Sequence, residues 1–302
     1  NLALLVVDEQ HRFGVNQKNV FDRLEPRPHL LLMSATPIPR SLYFTMIGDL
    51  DLSVIDQMPV GRKPVQTYVY DKDKRDEVHR FIRKEILDGR QAFVVCPLIE
   101  ESESLQSKAA IEEYETLSRD IFPEMKIGLL HGRMKLPEKE LVMEQFRSGD
   151  IHILVATAVI EVGVDIPNAS IMVIDGAERF GLSQLHQFRG RVGRGEHQSY
   201  CILMSDNPGA DSKERMDILH KINDGFRLAD EDLRMRGAGD LIGKRQSGVP
   251  LFQVADPSDA DLVSLAGIEA DKVLNSDYEL LLEEHQELKK QLEKLLADFS
   301  VA

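Results

Sequence analysis

Asp8 and Glu9 stand at the end of an apolar run, Leu2-Ala3-Leu4-Leu5-Val6-Val7, and are followed by Gln10 and His11. Two carboxylates at a strand end can hold Mg²⁺ and orient a water. Asp8 would hold the ion through water, and Glu9 would polarise the attacking water. Much later comes Gln187-Phe188-Arg189-Gly190-Arg191-Val192-Gly193-Arg194. In a helix Arg191 and Arg194, three apart, share one face from which both reach a phosphate, and Gln187 opens the same motif on the nucleotide side. The acidic pair thus supplies the metal side of a nucleoside triphosphate site, and the arginines supply charge stabilisation for phosphoryl transfer. The bland alternatives are a solvated acidic turn and a solvated basic helix. Against the second, each glycine in a helix interior costs roughly 1 kcal/mol relative to alanine, which makes sense if backbone must approach something closely.

Further motifs follow other apolar runs. His29-Leu30-Leu31-Leu32-Met33 leads into Ser34-Ala35-Thr36-Pro37, where the Ser34 and Thr36 hydroxyls would link the nucleotide site to a second lobe. Ala156-Thr157 through Glu161-Val162-Gly163-Val164-Asp165-Ile166-Pro167 puts Thr157 where it would meet a nucleic-acid phosphate, with Gly163 and Asp165 near the nucleotide. His131-Gly132-Arg133-Met134 offers a basic loop for a backbone phosphate, or an ordinary strand-to-helix turn. Arg234 to Gly248 is basic and punctuated by glycines, and sequence physics alone leaves open a flexible loop or a mechanical part.

The elements that position these groups alternate between apolar runs and helical patterns, the mark of a parallel α/β architecture with its chemistry at the carboxyl ends of strands. Strands are expected at 2–7, 30–33, 66–70, 92–98, 127–130, 152–157, 170–174 and 200–205. A helix is expected over Arg40–Ile47, and another begins at Pro137 and stops at Gly149. Pro59-Val60-Gly61-Arg62-Lys63-Pro64 reads as a linker. Beyond Gly209 the pattern turns helical, with the best helices at 212–235 and 276–297. Leu281, Leu288, Leu292 and Leu295 form a stripe on the last, too short for sustained heptads and expected to pack on its own domain.

The net charge of −14 does not exclude a nucleic-acid partner. Residues 99–124 carry −6 and residues 255–302 carry −8, so the rest is neutral, with its bases clustered. No apolar run reaches the ~18 residues of a membrane span. Cys96 and Cys201 form no C-x-x-C pair and read as buried free thiols of a reducing cytoplasm. No G-x-x-x-x-G-K-[ST] phosphate loop occurs, and the chain opens mid-strand without Met. The expectation is a missing N-terminal part of the same polypeptide, including that loop.

Taken together, Asp8-Glu9-Gln10-His11, Ser34-Ala35-Thr36, the segment ending at Pro167 and the Gln187–Arg194 motif resemble superfamily 2 helicases. The run Asp8 to Val15 looks like the RecG form of the acidic motif. Asp232 to Gly248 is similar to a translocation motif shared by RecG and the transcription-repair coupling factors. The resemblance implies a bacterial, cytoplasmic, ATP- and Mg²⁺-dependent translocase on double-stranded or branched DNA, acting at stalled forks and Holliday junctions. It also implies that Arg215, Arg236 and Gln246 couple hydrolysis to movement. The division it suggests is a remnant of a first RecA-like lobe at 1–58, a second lobe at 59–208, and a mostly helical translocation module at 209–302. The rivals are the equivalent portion of a transcription-repair coupling factor and a non-catalytic DNA- or partner-binding module.

Overall fold

The computed structural model describes residues 2–8, 28–34, 53–59, 61–97, 103–158, 166–206, 208–236 and 260–300. They divide into two compact units, Asn1–Pro37 with Ile55–Asp232, and Ile38–Val54 with Leu233–Ala302. Six parallel strands build the larger unit: β3 (Gln66–Asp71), β4 (Gln91–Val95), β5 (Ile127–Leu130), β6 (Ile153–Ala156), β7 (Ala169–Ile174) and β8 (Tyr200–Ser205). Their spatial order is β3-β8-β7-β4-β6-β5. The same unit holds β1 (Leu4–Asp8) and β2 (His29–Met33), a separate parallel pair.

Strand β4 shows why this sheet carries two cores. All five of its residues are buried, and alternate side chains go to opposite faces. Phe93 and Val95 join Phe146, Phe188 and Met216 on one face. Ala92 and Val94 join Val78, Ile82 and Phe122 on the other. Burial on both faces is what an all-parallel sheet requires, and it accounts for the unbroken apolar strands.

Helices supply the covers. In α1 (Arg75–Leu87), Val78, Ile82 and Ile86 recur every fourth residue and are the buried ones. Helix α2 spans Glu103–Thr116. Helix α3 (Leu136–Ser148) has Pro137 in its first turn, and its Glu138 carboxylate accepts from the Lys135 N–H at 2.9 Å. It ends at Gly149, φ +87°, a left-handed position that any side chain would strain. Helix α4 (Leu182–Arg189) buries Leu182, Leu185 and Phe188, and Phe188 meets Phe180 edge-on at 5.3 Å.

The first core runs on past residue 208. Helices α5 (Ala210–Lys221) and α6 (Gly225–Arg236) contribute Met216, Leu219 and Leu228 to it, so packing carries the larger unit to Asp232. The single helix expected over 212–235 is two, because the chain breaks at 222–224 and the Asp224 carboxylate caps the second by accepting from Arg227 N–H at 2.8 Å.

The helix expected over 276–297 is likewise interrupted. Helix α7 (Ala260–Ser276) stops where Asp277 accepts from the N–H groups of Leu281 and Leu282, both at 2.8 Å, and α8 spans Gln286–Ser300. These side-chain bonds offer the backbone a competing local partner, which is how aspartate ends helices. Leu281 is therefore off the helix, and Leu288 and Leu292 are exposed rather than packed. The Leu295 side chain and the helix expected at Arg40–Ile47 lie outside the described residues. Cys96 and Cys201 are buried free thiols, and burial pushes the Cys201 thiol up to about 12. Among the described residues no helix is long and apolar enough to cross a membrane.

Candidate nucleotide and nucleic-acid site

Parallel pairing puts every strand-end motif at the carboxyl end of its sheet. In the small sheet Asp8 is in register with Met33, so exposed Asp8 lies beside Ser34, the next residue. Glu9 and Thr36 fall outside the described residues, as do Gly163 and Asp165.

In the large sheet Leu130 pairs with Ala156, so His131 and Thr157 leave adjacent strands side by side. The Thr157 N–H donates to Leu130 O at 3.2 Å, and its side chain is buried. His131 opens a tight turn in which Met134 N–H donates to its carbonyl. Its Nδ1 is buried without a partner, and burial, then Lys139 and Arg133, lower its pKa. Exposed Arg133 tops this turn, and the Lys139 ammonium donates to Gly132 O at 2.8 Å. Two cations beside an unsatisfied imidazole nitrogen suit an anionic ligand.

The arginine motif differs from expectation. Arg191 and Arg194 do not share a helical face, because α4 ends at Arg189 with Gly190 as its C-cap. Nor are the glycines inside a helix. Gly193 adopts φ +79°, and a Cβ there would lie 2.8 Å from Val65 Cγ2. At Gly195, which the sequence did not single out, a Cβ would lie 2.3 Å from the Pro167 carbonyl oxygen. Pro167 ends the segment that begins at Thr157, so the two motifs meet backbone to backbone. Arg62 pins the loop by donating from Nε to Gly193 O at 2.9 Å. From this loop Arg191 projects half-buried, while exposed Arg194 donates to Gly190 O at 3.3 Å. Gln187 is half-buried on α4. A half-buried guanidinium on a pinned loop fits an incoming phosphate, and a strand-end carboxylate at Asp8 fits a hydrated Mg²⁺.

Arg189, overlooked by sequence reasoning, anchors the helix that delivers this loop. It is 3 % exposed. Its Nη1 donates to Leu219 O at 2.8 Å and Ile222 O at 2.9 Å, and its Nη2 donates to Asn223 O at 3.3 Å. These are carbonyls at the negative end of α5, so helix geometry compensates the buried charge. A signal existed: Arg189 follows Leu182, Leu185 and Phe188 on the apolar stripe of α4. Arg215, on α5, braces the turn that leads into α4, since its Nη2 donates to Glu178 O at 3.0 Å. Arg236 ends α6, but its side chain, like Gln246, lies outside the described residues.

His186 Nδ1 lies 3.0 Å from Arg189 Nη2. It must accept there, so its proton sits on Nε2. Burial and then the Arg189 charge push its pKa down to about 4. The unfolded chain takes up a proton below about pH 6.5 that the folded chain refuses until about pH 4, so stability is lost as the pH is lowered through this window. The loss expected by the lower end is on the order of 3 kcal/mol. Urea unfolding at about pH 7 and about pH 4.5 measures it, and His186→Asn, which keeps an acceptor that does not titrate, should flatten the dependence. An unchanged slope in that variant would assign the effect to other groups.

The order of the six parallel strands, with a core on each face of the sheet, is that of a RecA-like helicase lobe. A family model described as the helicase conserved C-terminal domain matches residues 73–196. A second, described as ATP-dependent DNA helicase RecG, domain 3, C-terminal, matches residues 222–300. The ATP-dependent DNA helicase RecG of Synechocystis is 49 % identical over 300 residues, covering 98 % of this chain and 36 % of the relative. That of Bacillus subtilis is 54 % identical over 256 residues, covering 84 % and 37 %. A solved RecG bound to a three-way DNA junction matches with a TM-score of 0.67 at 46 % identity, over 87 % of this chain and 34 % of that one. Yeast Dbp5 bound to RNA shares the fold alone, with a TM-score of 0.53 at 16 % identity.

The chain belongs to the RecG family, and the match at 222–300 favours it over the transcription-repair coupling factors. It spans a little over a third of the length of the relatives it matches.

Proposed function

We propose that this chain is the C-terminal motor portion of an ATP-dependent helicase that translocates on double-stranded DNA and remodels branched junctions in the bacterial cytoplasm. The observation carrying this reading is the contact of Gly195 with Pro167, which locks the arginine loop to the segment that follows β6. A loop fixed in this way holds Arg191 and Arg194 in place, so little reorganisation is needed when phosphate charge develops.

The residues divide the work. Asp8 would hold hydrated Mg²⁺, which when bound neutralises phosphate charge, and Glu9 would orient the attacking water. Ser34 would relay the state of this site toward the second lobe and Gln187 would serve its nucleotide side, and by sequence Thr36 would share the first role and Gly163 and Asp165 the second. His131 and Arg133 meet the DNA backbone, which positions the duplex without reading sequence, while buried Thr157 supports the turn beneath them through its N–H bond to Leu130 O. Arg215, Arg236 and Gln246 convert lobe closure into movement.

The test is made in the full-length protein. Arg236→Ala and Gln246→Ala should leave DNA-stimulated ATPase within about twofold while fork unwinding falls at least about tenfold. Equal loss of both rates would place the segment in the ATP site, and no change in either would reduce it to a passive loop. The 302-residue chain alone should show no DNA-stimulated ATPase, because its sequence has no phosphate loop to cradle the β- and γ-phosphates.

A further inference from the structure

On the α5 side of the large sheet, away from the arginine loop, a cleft of about 350 Å³ opens between the carboxyl ends of β3 and β8 and the face of α5. Asp71 and Ser205 are in register on the two strands, and Lys213 and Asp217 come from α5. Val69 and Met216 form its apolar floor. The Lys72–Asp206 ion pair ties the same two strand ends together just beyond them.

Its polar groups are unsatisfied. The Ser205 side chain is 2 % exposed, and its Oγ has no hydrogen-bond partner. A buried hydroxyl in that state costs stability unless something else completes it. Among the described residues Asp71, Asp217 and Lys213 form no ion pair or side-chain hydrogen bond, although Lys213 and Asp217 are spaced i,i+4 on one helix. Two unpaired carboxylates, one unpaired ammonium and one orphan hydroxyl thus surround a cavity of ligand size.

The chemistry narrows the occupant. Two carboxylates outweigh one lysine, which excludes an anion such as a phosphate. An ammonium among the donors, with only two carboxylates, is a poor divalent-metal site, since such ions gather more oxygen ligands. A monovalent organic cation remains. Acceptors on both walls, Asp71 on a strand and Asp217 on a helix, suit a planar fork of five N–H donors better than a compact ammonium, and Val69 and Met216 suit an aliphatic stem.

We propose that this cleft binds an arginine side chain presented by a partner protein. Its guanidinium would lie between Asp71 and Asp217 and donate to Ser205 Oγ, while Lys213 at the side would meet an acidic neighbour of that arginine. The proposal does not depend on the helicase reading.

Titrating N-acetyl-arginine amide into the 302-residue protein tests it, followed by the amide NMR signals of Asp71, Ser205 and Asp217. Saturable shifts at these three positions are expected, with N-acetyl-lysine amide binding several-fold more weakly and the neutral isostere N-acetyl-citrulline amide not saturating. Asp71→Asn with Asp217→Asn should weaken arginine binding at least about tenfold. Both aspartates lack protein partners, so this variant should keep the wild-type unfolding midpoint. Ser205→Ala should raise that midpoint while weakening arginine binding several-fold, whereas a purely structural serine would leave binding unchanged. Shifts that do not saturate, equal binding of the citrulline compound, or full binding by the double variant would each overturn the assignment.

Discussion

In the full-length helicase, Arg191→Ala should lower ATP turnover by about 10³- to 10⁵-fold while DNA affinity stays within a few-fold. Arg191 has the features of a finger: it is half-buried on a loop pinned by Arg62 and by contact with Pro167. A group poised in this way acts on charge that develops in the transition state, so kcat falls more than ground-state binding. Arg191→Lys should recover little, because a point charge cannot replace the fork. Arg194 is exposed and already donates to Gly190 O, so Arg194→Ala should cost less. Single-turnover ATP hydrolysis with saturating forked DNA separates these cases. Unchanged turnover with lost DNA binding would make this loop a DNA contact instead.

Arg189→Ala should be the most destabilising substitution in the same motif, by about 3 kcal/mol or more, although Arg189 would touch neither nucleotide nor DNA. It strips a charged donor from three carbonyls at the end of α5 and opens a void in the first core. Urea denaturation followed by circular dichroism measures the loss, and Arg194→Ala, on the exposed part of the loop, should stay within about 0.5 kcal/mol of wild type. Equal stability of the two variants would mean that water satisfies those carbonyls as well as the guanidinium does. Because Arg189 lies two residues before Arg191, kinetics of arginine variants in this motif need a stability measurement beside them.

These two arginines show what the sequence discloses and what it withholds. The strands of the large sheet were legible because parallel strands buried on both faces are unbroken apolar runs, as β4 and β7 are. Asp8, Ser34, His131 and Thr157 were legible as strand-end residues for the same reason. The path of the chain after α4 was not. Spacing alone puts Arg191 and Arg194 on one helical face, but the helix stops because Gly193 is left-handed and Gly195 must clear Pro167, a contact with a residue 28 positions earlier. Non-local contact of this kind leaves no periodic trace. The interruptions at Asp224 and Asp277 were hidden differently, since an aspartate inside a helical pattern reads as a solvated position until its carboxylate is seen capping N–H groups. The first core extended beyond residue 208 because Met216, Leu219 and Leu228 face it, and composition does not say which core an amphipathic helix joins.

The small sheet of β1 and β2 carries a practical consequence. Leu4 and Val6 on one strand and Leu30, Leu31 and Met33 on the other are each between 41 % and 53 % exposed. Among the described residues each strand pairs only with the other. Exposed apolar strand faces are sites for association between molecules. Concentrated solutions of this polypeptide should therefore lose monomer with time through this sheet. Lysine at Val6 and Leu31 should lengthen their shelf life without disturbing the six-stranded lobe.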